Sequence, residues 1–430
     1  MFRRWNKSFY TLLITLLVPL AASAQTDGTY SGYSPYSVYG IGQLHQAGTA
    51  WNRGMGGVGI AARNRRFINI TNPASITARD TLSFMTDFGL TPKLGWVSND
   101  GKNAYHTTFN IEDFVISFPM WNHTAMMVGI TPFSDVGYSV SSSYTDIYTG
   151  KNSFSSFGNG GIYQVFAAAG ITLWNRLSVG VQGSYVFGNI DKSASQRYAD
   201  DTYLSYHIGD SLQVRSFGVK AGVQYEQPLS TTSFLTVGAT YRISTGIGGH
   251  HLHYLQEGSY YKESYEDDLA GYNVRFGDEL GLGLSYRKAD DFLVEVDYTR
   301  GDWRKSGFEL VQGFSNKGDR TFASSVGQAV RLGLEWTPNR NDIRYFLRRC
   351  TYRIGAYYDQ SYYTVDGKHV DAVGLTLGMT VPVFRYYNGI SLGLDIGQRG
   401  LVPGQLKERY IGFNLGFNLF DYWFQKPMYD

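Results

Sequence analysis

Three neighbouring histidines, His250, His251 and His253, are the first residues in this chain whose types and spacing suggest chemistry. On a β-strand, alternate side chains share a face, so His251 and His253 together have the geometry to hold a metal ion. The sequence places no carboxylate beside them, and histidines at a strand tip beside a loop are usually solvated. We therefore predict no metal site at this position.

A glycine-rich stretch, Gly54–Gly59, matches the G-x-G-x-x-G pattern of dinucleotide-binding sites, and Asp80 follows about twenty residues later. Such a site requires a strand before the glycines and a helix after them. Ala50–Arg53 does not read as a strand, and Asn69–Ser75 does not read as a helix. The glycines are better explained by close packing of the backbone, which a side chain would prevent.

Cys350 is the only cysteine, which excludes a disulfide-stapled domain and a cysteine-based zinc site. No His and Asp grouping marks it as a catalytic nucleophile. The acidic run Glu266–Asp268 reads as loop surface, with divalent ions bridging surface lipid as the alternative. We find no enzyme motif, and we predict a protein without catalytic residues and without a cofactor.

The charge and hydropathy of the chain narrow the class of protein further. A formal net charge of +2 argues against nucleic acid as a partner, because phosphate binding needs a clustered excess of Lys and Arg. Aromatic residues make up 16% of the chain, yet the mean hydropathy is −0.24. Many rings without an apolar average fit a protein in which apolar and polar residues alternate.

The first 24 residues have the features of a signal peptide. Arg3, Arg4 and Lys7 form a basic start, Phe9–Leu20 form an apolar core, and small residues at 22–24 precede Gln25. A short membrane anchor is the alternative, but the apolar run is too short to span a bilayer. We predict cleavage after residue 24 and export from the cytoplasm.

From about residue 80 onward, short segments alternate apolar and polar residues with a period of two, which is typical of strands with one apolar face. We count about fourteen such segments, an even number as bacterial single-chain barrels have. The seventh is long enough to be two strands. The predicted spans are 81–91, 109–119, 124–139, 161–173, 177–188, 213–226, 233–256, 272–288, 291–300, 326–337, 350–359, 370–383, 390–398 and 409–419.

The second face of these strands distinguishes a membrane barrel from a soluble sandwich. A solvated sandwich face tends to carry long charged side chains. Here that face is mostly Gly, Ser, Thr, Asn and Gln with a few charges, as expected for a packed polar lumen behind a lipid-facing wall. The sequence therefore predicts an all-β fold, a transmembrane antiparallel β-barrel spanning residues 81–419.

The predicted connections alternate in length. Short turns at 120–123, 174–176 and 289–290 alternate with long loops at 92–108, 140–160, 189–212, 257–271 and 301–325, which is the asymmetry of outer-membrane barrels. Residues 338–349 are a longer connection on the short side. Aromatic residues near strand ends suit girdles at the membrane interfaces: Tyr241, Tyr286, Tyr298, Trp303, Trp336, Tyr352 and Tyr358.

Residues 25–80 do not fit the strand series, because they are glycine-rich and irregular. In a closed barrel such a segment must sit in the lumen or hang into the periplasm. Its small and apolar residues favour a compact plug in the lumen, which we refer to as the N-terminal hatch. The apolar residues concerned are Ile41, Leu44, Met55, Val58, Ile60, Ile68 and Ile70.

These segments resemble the FadL-type outer-membrane transporters. Ala50–Ala61 followed by Asn69–Ser75 is similar to the hatch of that family, with the Gly-rich stretch before Asn-Pro-Ala as the most specific match. Phe114–Pro119 and Val128–Phe133 resemble its second and third strands, and Asp297–Trp303 resembles a strand ending in Trp. The opening Ser34–Gly42 looks like a variant found in Bacteroidota.

The resemblance implies a fourteen-stranded barrel, a plugging hatch and uptake of hydrophobic molecules such as long-chain fatty acids. It also implies a hatch that moves to open a path through the lumen. The residues that match the hatch motif, and that we expect to control it, are Arg53, Gly54, Gly56, Gly57, Asn72, Pro73 and Ala74.

The third strand pattern contains a proline and a glycine that suggest a break in the wall. Proline cannot donate to a strand ladder, and glycine often marks a bulge. The resembled family releases apolar cargo sideways through such a gap, so we expect a lateral gap near Pro132, Ser134, Asp135 and Gly137. The alternative is that Pro132 merely ends a strand.

The alternation also predicts which charged side chains face the lumen: Lys220, Arg242, Arg287, Glu295, Asp297, Arg331, Glu335, Arg353 and Asp395. An internal network of ion pairs that holds the hatch is the first interpretation, because unpaired buried charges are costly. The second is that Lys220, Arg242, Arg331 or Arg353 binds the carboxylate of a ligand. The sequence does not select among them.

We predict a protein of the cell outer membrane that passes hydrophobic small molecules through a hatch-plugged barrel, with outer-membrane lipid and a hydrophobic ligand as partners. The competing hypothesis is an accessory barrel that does not transport and instead scaffolds a secretion or assembly complex, with other outer-membrane proteins as partners. Residues 420–430 continue past the last strand with several aromatics, and we assign them to a periplasmic tail.

Overall fold

The computed structural model describes residues 32–79, 83–99, 102–200, 202–258, 260–315, 320–383 and 388–422. The predicted signal peptide, residues 1–24, lies outside the described residues. So does most of the predicted tail, residues 423–430.

Long antiparallel strands dominate the fold, as the period-two alternation predicts. They are β1 Gln43–Leu44, β2 Ser83–Asn99, β3 Lys102–Trp121, β4 Thr124–Asp146, β5 Gly150–Leu173, β6 Leu177–Arg197, β7 Tyr206–Pro228, β8 Ser233–Arg242, β9 Gly248–Glu257, β10 Tyr260–Asp268, β11 Asp278–Lys288, β12 Phe292–Asp302, β13 Phe322–Ser324, β14 Val326–Trp336, β15 Thr351–Val365, β16 Lys368–Pro382, β17 Gly389–Arg399 and β18 Lys407–Tyr422.

The sheet closes on itself because β18 pairs with β2. Within the described residues, fourteen strands form the wall, namely β2–β8, β11, β12 and β14–β18. The prediction of a closed antiparallel barrel of about fourteen strands is confirmed. The last strand runs to Tyr422, opposite Ser83, so residues 420–422 continue the wall into what the sequence suggested was a tail.

The seventh predicted segment is two strands, which the sequence had left open. β8 ends at Arg242, and the chain resumes as β9 at Gly248, which pairs with the upper part of β7. β10 then folds back on β9 as a hairpin. β8 and β9 therefore occupy one wall position, and the even count is kept.

The long connections are shorter than predicted because the strands extend through them. Residues 92–108 belong mostly to β2 and β3, and β5 alone has 24 residues. Residues 140–160 and 189–212 likewise form hairpin extensions, and both faces of residues 141–146 are exposed. We call the end of the barrel that carries these extensions the long-loop side and the opposite end the short-turn side.

The outward face of the wall is apolar over its central band, as a lipid-facing barrel requires. Leu282, Leu332, Leu375 and Ile396 are among the exposed outward residues. Trp336 stays on this surface as predicted for a girdle. Trp303 does not, because it turns into the mouth of the lumen and is buried.

Helices are short and confined to the connections and to the N-terminal segment. They are α1 Ala50–Arg53, α2 Phe346–Arg349 and single 3-10 turns at Pro35–Val38, Pro73–Ala78, Leu269–Tyr272 and Phe308–Leu310. No helix among the described residues is long and apolar enough to cross a membrane.

The N-terminal segment occupies the lumen in two parts rather than as one compact plug. Residues 49–79, the hatch core, fill the short-turn side, where Met55, Val58 and Ile68 are fully buried. Residues 32–48, the N-terminal arm, rise towards the long-loop side, where Ile41 is fully buried in a different cluster. Two seals of different composition therefore lie at the two ends of the barrel.

Candidate functional site

Glycines of the wall allow the hatch core to contact the barrel backbone directly. A β-carbon on any of these glycines would lie within 2.9 Å of a hatch-core atom, which is closer than real contacts allow. They come from eight strands and surround the hatch core: Gly180, Gly222, Gly238, Gly283, Gly333, Gly355, Gly378 and Gly416. The glycine content of the inner face, visible in the sequence, thus has a specific purpose in packing.

The Gly-rich stretch of the hatch core presents consecutive backbone amides to two wall carboxylates. Asp297 Oδ2 accepts from the nitrogens of Gly59 (2.8 Å) and Ile60 (3.0 Å). Glu295 Oε1 accepts from the nitrogens of Ala61 (2.6 Å) and Ala62 (2.9 Å). Gly56 and Gly57, with φ of 73° and 77°, supply left-handed conformations that favour glycine just before this run. These bonds hold the hatch core to β12.

A second buried group fixes the other flank of the hatch core. Arg353 Nε pairs with Glu335 Oε2 at 2.7 Å, and the Trp51 indole donates to the same oxygen at 2.6 Å. The Arg353 guanidinium also lies over the Phe67 ring at 4.7 Å. This ion pair is buried and contacts the hatch core directly, which agrees with the first interpretation of the lumen charges, a network of ion pairs that holds the hatch.

Between the hatch core and the long-loop side lies a cavity of about 450 Å³. Ion pairs line it: Arg242 lies 3.3 Å from Glu279, and Arg331 lies 2.6 Å from Asp359. Its charged lining residues are Arg53, Lys93, Lys220, Arg242, Arg331 and Arg399, with Glu112, Asp135, Glu279, Asp297, Asp359 and Asp395. The cavity lining is therefore mixed, with apolar surface beside equal numbers of acidic and of Lys and Arg side chains.

The wall opens beside this cavity. β3 and β4 pair only from Trp121 and Thr124 up to Phe114 and Ile130, whereas β4 runs on to Asp146. A bulge at Phe133 follows Pro132 in β4, and the register of β3 against β2 shifts at Glu112. Two bulges at the same level turn the strands apart. We refer to the unpaired region above them as the lateral opening.

The N-terminal arm spans the lateral opening along the free edge of β4. β1 pairs with β4 through Leu44 opposite Ser134 and Gln43 opposite Asp135. The arm continues upward with Ser34, whose nitrogen donates to the Gly137 carbonyl at 2.8 Å. The opening in the ladder is thus occupied by a segment of the hatch region rather than by a wall strand.

Two side chains of the arm contact both edges of the lateral opening. Tyr33 stacks on His106 of β3 at 4.3 Å between ring centroids and donates to the Ser139 carbonyl of β4. His45 contacts Asp135 of β4 and lies 3.4 Å from Glu112 of β3. Glu112 Oε2 also forms an ion pair with Arg53 Nη1 of the hatch core at 2.5 Å. The arm therefore closes the opening at its top and at its base.

His45 is a charged member of this closure. Burial lowers its pKa, but the two carboxylates, Asp135 and Glu112, outweigh that effect and raise the pKa to about 10. The imidazole therefore carries a positive charge across the physiological range. It bridges two negatively charged strand edges that would otherwise repel each other.

The long-loop side is sealed by an apolar cluster, which we call the mouth cluster. The connection after β12 turns inward and packs Trp303, Phe308 and Phe314 against Tyr36 and Tyr39 of the arm. The Phe314 carbonyl accepts from the Gly40 nitrogen at 2.9 Å. The cavity is consequently closed from above by apolar packing and from below by the hatch core.

The comparisons with known proteins place the chain in one family and one fold. The BamG family model matches residues 5–430. The chain belongs to the BamG family. No curated protein matches.

Solved structures similar to this BamG-family barrel include a hydrocarbon channel, a toluene transporter and a FadL homologue. The CymD monoaromatic hydrocarbon channel has 14% identity and a TM-score of 0.57, covering 87% of this chain and 98% of its own. The toluene transporter TodX of P. putida has 14% identity and a TM-score of 0.56, covering 89% and 100%. A Pseudomonas aeruginosa FadL homologue has 11% identity and a TM-score of 0.52, covering 88% and 98%. At these identities the FadL-type resemblance is confirmed at the level of fold.

The predicted hatch residues lie where the hatch core of this BamG-family barrel meets the wall. Gly54 packs on Gly378, and the Gly56 nitrogen donates to Thr376 Oγ1 at 2.7 Å. Asn72 donates to the Ile60 carbonyl and caps the turn that begins with Pro73 and Ala74. Arg53 instead faces the cavity and pairs with Glu112.

The other predicted site residues separate into two groups. Pro132, Ser134, Asp135 and Gly137 all lie on β4 at the lateral opening. Lys220, Arg242 and Arg331 line the cavity. Arg353 does not, because it is buried beneath the hatch core in its pair with Glu335.

The predicted histidine pair also has partners in the structure. His251 and His253 share an inward face, and both lie against Asp210 Oδ1, at 3.3 and 2.7 Å. Among the described residues, no group of three or more His, Cys, Asp and Glu is placed to hold a metal ion.

Sequence reasoning missed His45 and Glu112, which with Asp135 close the lateral opening. They are far apart in the chain and follow no motif. The available signal for Glu112 was a carboxylate on the inner face of a strand, which is the same signal that identified Glu295 and Asp297. His45 gave no signal, since its partners are set by the path of the arm.

The raised pKa of His45 predicts a pH dependence of stability. A histidine with pKa 6.5 unfolded and about 10 folded stabilises fully below pH 6.5, and this contribution falls as the pH rises to 10. We expect the melting temperature of the wild type to exceed that of His45→Gln at pH 6 and the two to converge near pH 10. Thermal melts in detergent between pH 6 and 10.5 measure this, and a constant difference across the range would contradict it.

Proposed function

We propose that this barrel is an outer-membrane transport protein that passes hydrophobic small molecules through its lumen and releases them sideways between β3 and β4. The observation that carries the proposal is the loss of pairing above Phe114 and Ile130, with the arm seated in the opening. If β3 and β4 were paired along their whole length, no segment of the arm would be required between them. Export by a signal peptide cleaved after residue 24 is part of the same proposal.

The surroundings of the lateral opening suit release into a membrane. Phe109, Ile111 and Ile130 are exposed on the outer face at its edges, within the apolar band of the barrel. An apolar molecule that leaves here enters the lipid without crossing water. The arm is held by hydrogen bonds, by the His45 ion pairs and by apolar packing in the mouth cluster. None of these contacts is part of the ladder between wall strands, so the arm can withdraw without unfolding the wall.

The charged side chains beside apolar surface in the cavity lining argue for a cargo with one polar end. Arg242 and Arg331 are each paired, whereas Lys220 makes neither a hydrogen bond nor an ion pair among the described residues. We propose that the carboxylate of a long-chain fatty-acid-like molecule replaces part of this pairing, with Lys220 as its first contact. The apolar chain would then lie towards the mouth cluster.

A reversible crosslink tests lateral release. Leu44 and Ser134 are a non-hydrogen-bonded pair, because the His45 nitrogen donates to Phe133, so their Cα atoms lie about 4.5 Å apart, within disulfide range. In a Cys350→Ser background, we expect oxidised Leu44→Cys/Ser134→Cys to lose uptake of fluorescent long-chain fatty acid roughly tenfold. Reduction should restore it, since the lock alone is removed.

The control is a crosslink of equal size away from the opening. Leu375 and Ile396 are paired on the outward face of β16 and β17. Oxidised Leu375→Cys/Ile396→Cys should transport as the wild type does. Equal uptake by the oxidised arm lock and by this control would refute release through the opening.

A second candidate function rests on the two seals. The hatch core and the mouth cluster close the lumen at both ends, and the remaining cavity is of modest size. That favours an accessory barrel which scaffolds an outer-membrane secretion or assembly complex. Purification in detergent followed by mass spectrometry of ligands and proteins separates the two: a bound amphipathic molecule favours transport, and a stoichiometric protein partner without ligand favours scaffolding.

A further inference from the structure

One connection on the short-turn side differs from its neighbours in length and composition. Residues 337–350, between β14 and β15, form a closed loop in which the Asn339 nitrogen donates to the Arg348 carbonyl at 2.8 Å. Asp342 organises its tip by accepting from the nitrogens of Arg344 and Tyr345, both at 2.8 Å. The loop is therefore ordered by its own contacts and presents a defined surface.

That surface exposes several large apolar side chains, and their contact with water is unfavourable. Ile343 is 98% exposed and Leu347 is 65% exposed, and Tyr345 and Phe346 between them are exposed as well. Large apolar side chains adjacent in sequence and all exposed mark a binding surface. The Arg348 and Arg349 guanidinium groups lie over the Tyr345 and Phe346 rings at 4.8 and 5.8 Å, and all four apolar side chains remain exposed.

The same loop is strongly basic. Asp342 is its only acidic residue and is already paired with Arg348 at 3.3 Å. Arg344 and Arg349 have no carboxylate within ion-pair distance in the part of the chain that the structure describes. The surface thus offers unpaired guanidinium groups beside exposed apolar side chains, which complements a negatively charged amphipathic partner.

The loop adjoins the lipid-facing wall at its aromatic girdle. The Tyr352 hydroxyl donates to the Leu347 carbonyl at 2.9 Å, and the Tyr352 ring lies 6.4 Å from that of Trp336 on the outer face. Trp121 and Trp174, at other short turns, are exposed at the same end of the barrel. Tryptophan and tyrosine at this position mark the membrane interface, so the exposed residues of the loop continue the apolar wall into the headgroup layer.

We propose that the 337–350 loop is a phospholipid-binding site of the leaflet on the short-turn side, in which Ile343 and Leu347 insert among acyl chains and Arg344 and Arg349 bind headgroup phosphates. The proposal rests on the membrane location proposed above but not on transport. Continuity with the girdle selects a lipid over a soluble protein, since a soluble partner would leave the lipid-side residues uncovered.

Site-directed quenching tests the proposal on the full barrel in vesicles of phosphatidylethanolamine and phosphatidylglycerol. An environment-sensitive dye is attached at Ile343→Cys in a Cys350→Ser background, and headgroup nitroxide lipid is the quencher. The matched control is Ile147→Cys, which is 96% exposed in the turn between β4 and β5 on the long-loop side. We expect quenching at least threefold stronger at residue 343 than at residue 147.

The charge contribution is tested with Arg344→Gln/Arg349→Gln against Arg197→Gln/Arg300→Gln, two exposed arginines of the long-loop side. Native mass spectrometry should show severalfold fewer retained phosphatidylglycerol molecules for the first variant and wild-type retention for the second. Equal retention, or a dye at residue 343 that is quenched only by aqueous iodide in vesicles containing the barrel and no other protein, overturns the proposal and leaves the loop as a protein-docking surface.

Failure of this proposal is distinguishable from failure of the membrane location. A dye at Trp174→Cys, in the girdle itself, reports insertion of the barrel independently of the loop. Quenching at residue 174 without quenching at residue 343 refutes the loop site alone. Absence of quenching at both positions refutes membrane insertion.

Discussion

Replacing Gly355 with valine is expected to displace the hatch core together with the arm that continues from it. Because the arm forms part of the mouth cluster, both seals should loosen and the lumen should open to hydrophilic solutes. A β-carbon at this position would lie 2.1 Å from the Gly56 nitrogen and 2.2 Å from the Met55 carbonyl carbon. Both are backbone atoms, so no rotamer change relieves the clash. Overpacking costs roughly 1–3 kcal/mol where the surroundings can shift, and here the segment able to shift is the hatch core.

The expected result is a rise in single-channel conductance in planar bilayers and faster entry of a hydrophilic dye into cells. A fourteen-stranded barrel without its plug is wide enough for an aqueous channel. Gly183→Val is the matched control, because a β-carbon on Gly183 meets nothing within 4 Å. If Gly355→Val inserts as a heat-modifiable barrel with wild-type conductance, the packing role of the wall glycines is wrong.

Removing the two carboxylates that hold the Gly-rich stretch is expected to release it from β12. Glu295→Ala/Asp297→Ala leaves the amides of residues 59–62 without their acceptors. Each unsatisfied buried group costs about 1–3 kcal/mol. Because the four amides belong to one short segment, they should lose their protection from hydrogen exchange together rather than one by one.

Hydrogen–deuterium exchange measures this release directly. A loss of about 3 kcal/mol corresponds to roughly a hundredfold faster exchange in peptides covering residues 56–64. Asp395→Ala is the control, since Asp395 accepts from Tyr357 on the wall at 2.9 Å and holds no hatch amide. Unchanged protection in the double variant would show that the glycine contacts alone retain the hatch core.

The architecture of the wall was predictable from local pattern. Alternation with a period of two assigns each side chain to a face, which correctly directed Glu295, Asp297 and Arg353 into the lumen. The same pattern gave the strand number, including the ambiguity at residues 233–256. Strand ends were not predictable, because beyond the membrane both faces are solvated and the alternation disappears, as at residues 141–146.

Residues that act through long-range contacts were harder to assign. Trp303 has the sequence context of a girdle residue, yet the connection after β12 folds inward and buries it in the mouth cluster. Arg353 could not be told from Lys220 by sequence, although one lies beneath the hatch core and the other faces the cavity. The alternation of apolar and polar residues gives the face of the wall on which a side chain lies, but not the height in the lumen at which the hatch core lies.

The sequence by itself determined a closed antiparallel barrel with polar residues on its inner face and a glycine-rich N-terminal segment inside it. It also indicated an irregularity at Pro132, where β4 has a bulge and then continues to Asp146. These follow from side-chain periodicity and backbone stereochemistry, which act between neighbours in the chain. The tertiary structure alone decided that the arm occupies the opening between β3 and β4 and that His45 joins Glu112 to Asp135. Those contacts depend on the path of an irregular segment through the lumen, and no local preference specifies that path.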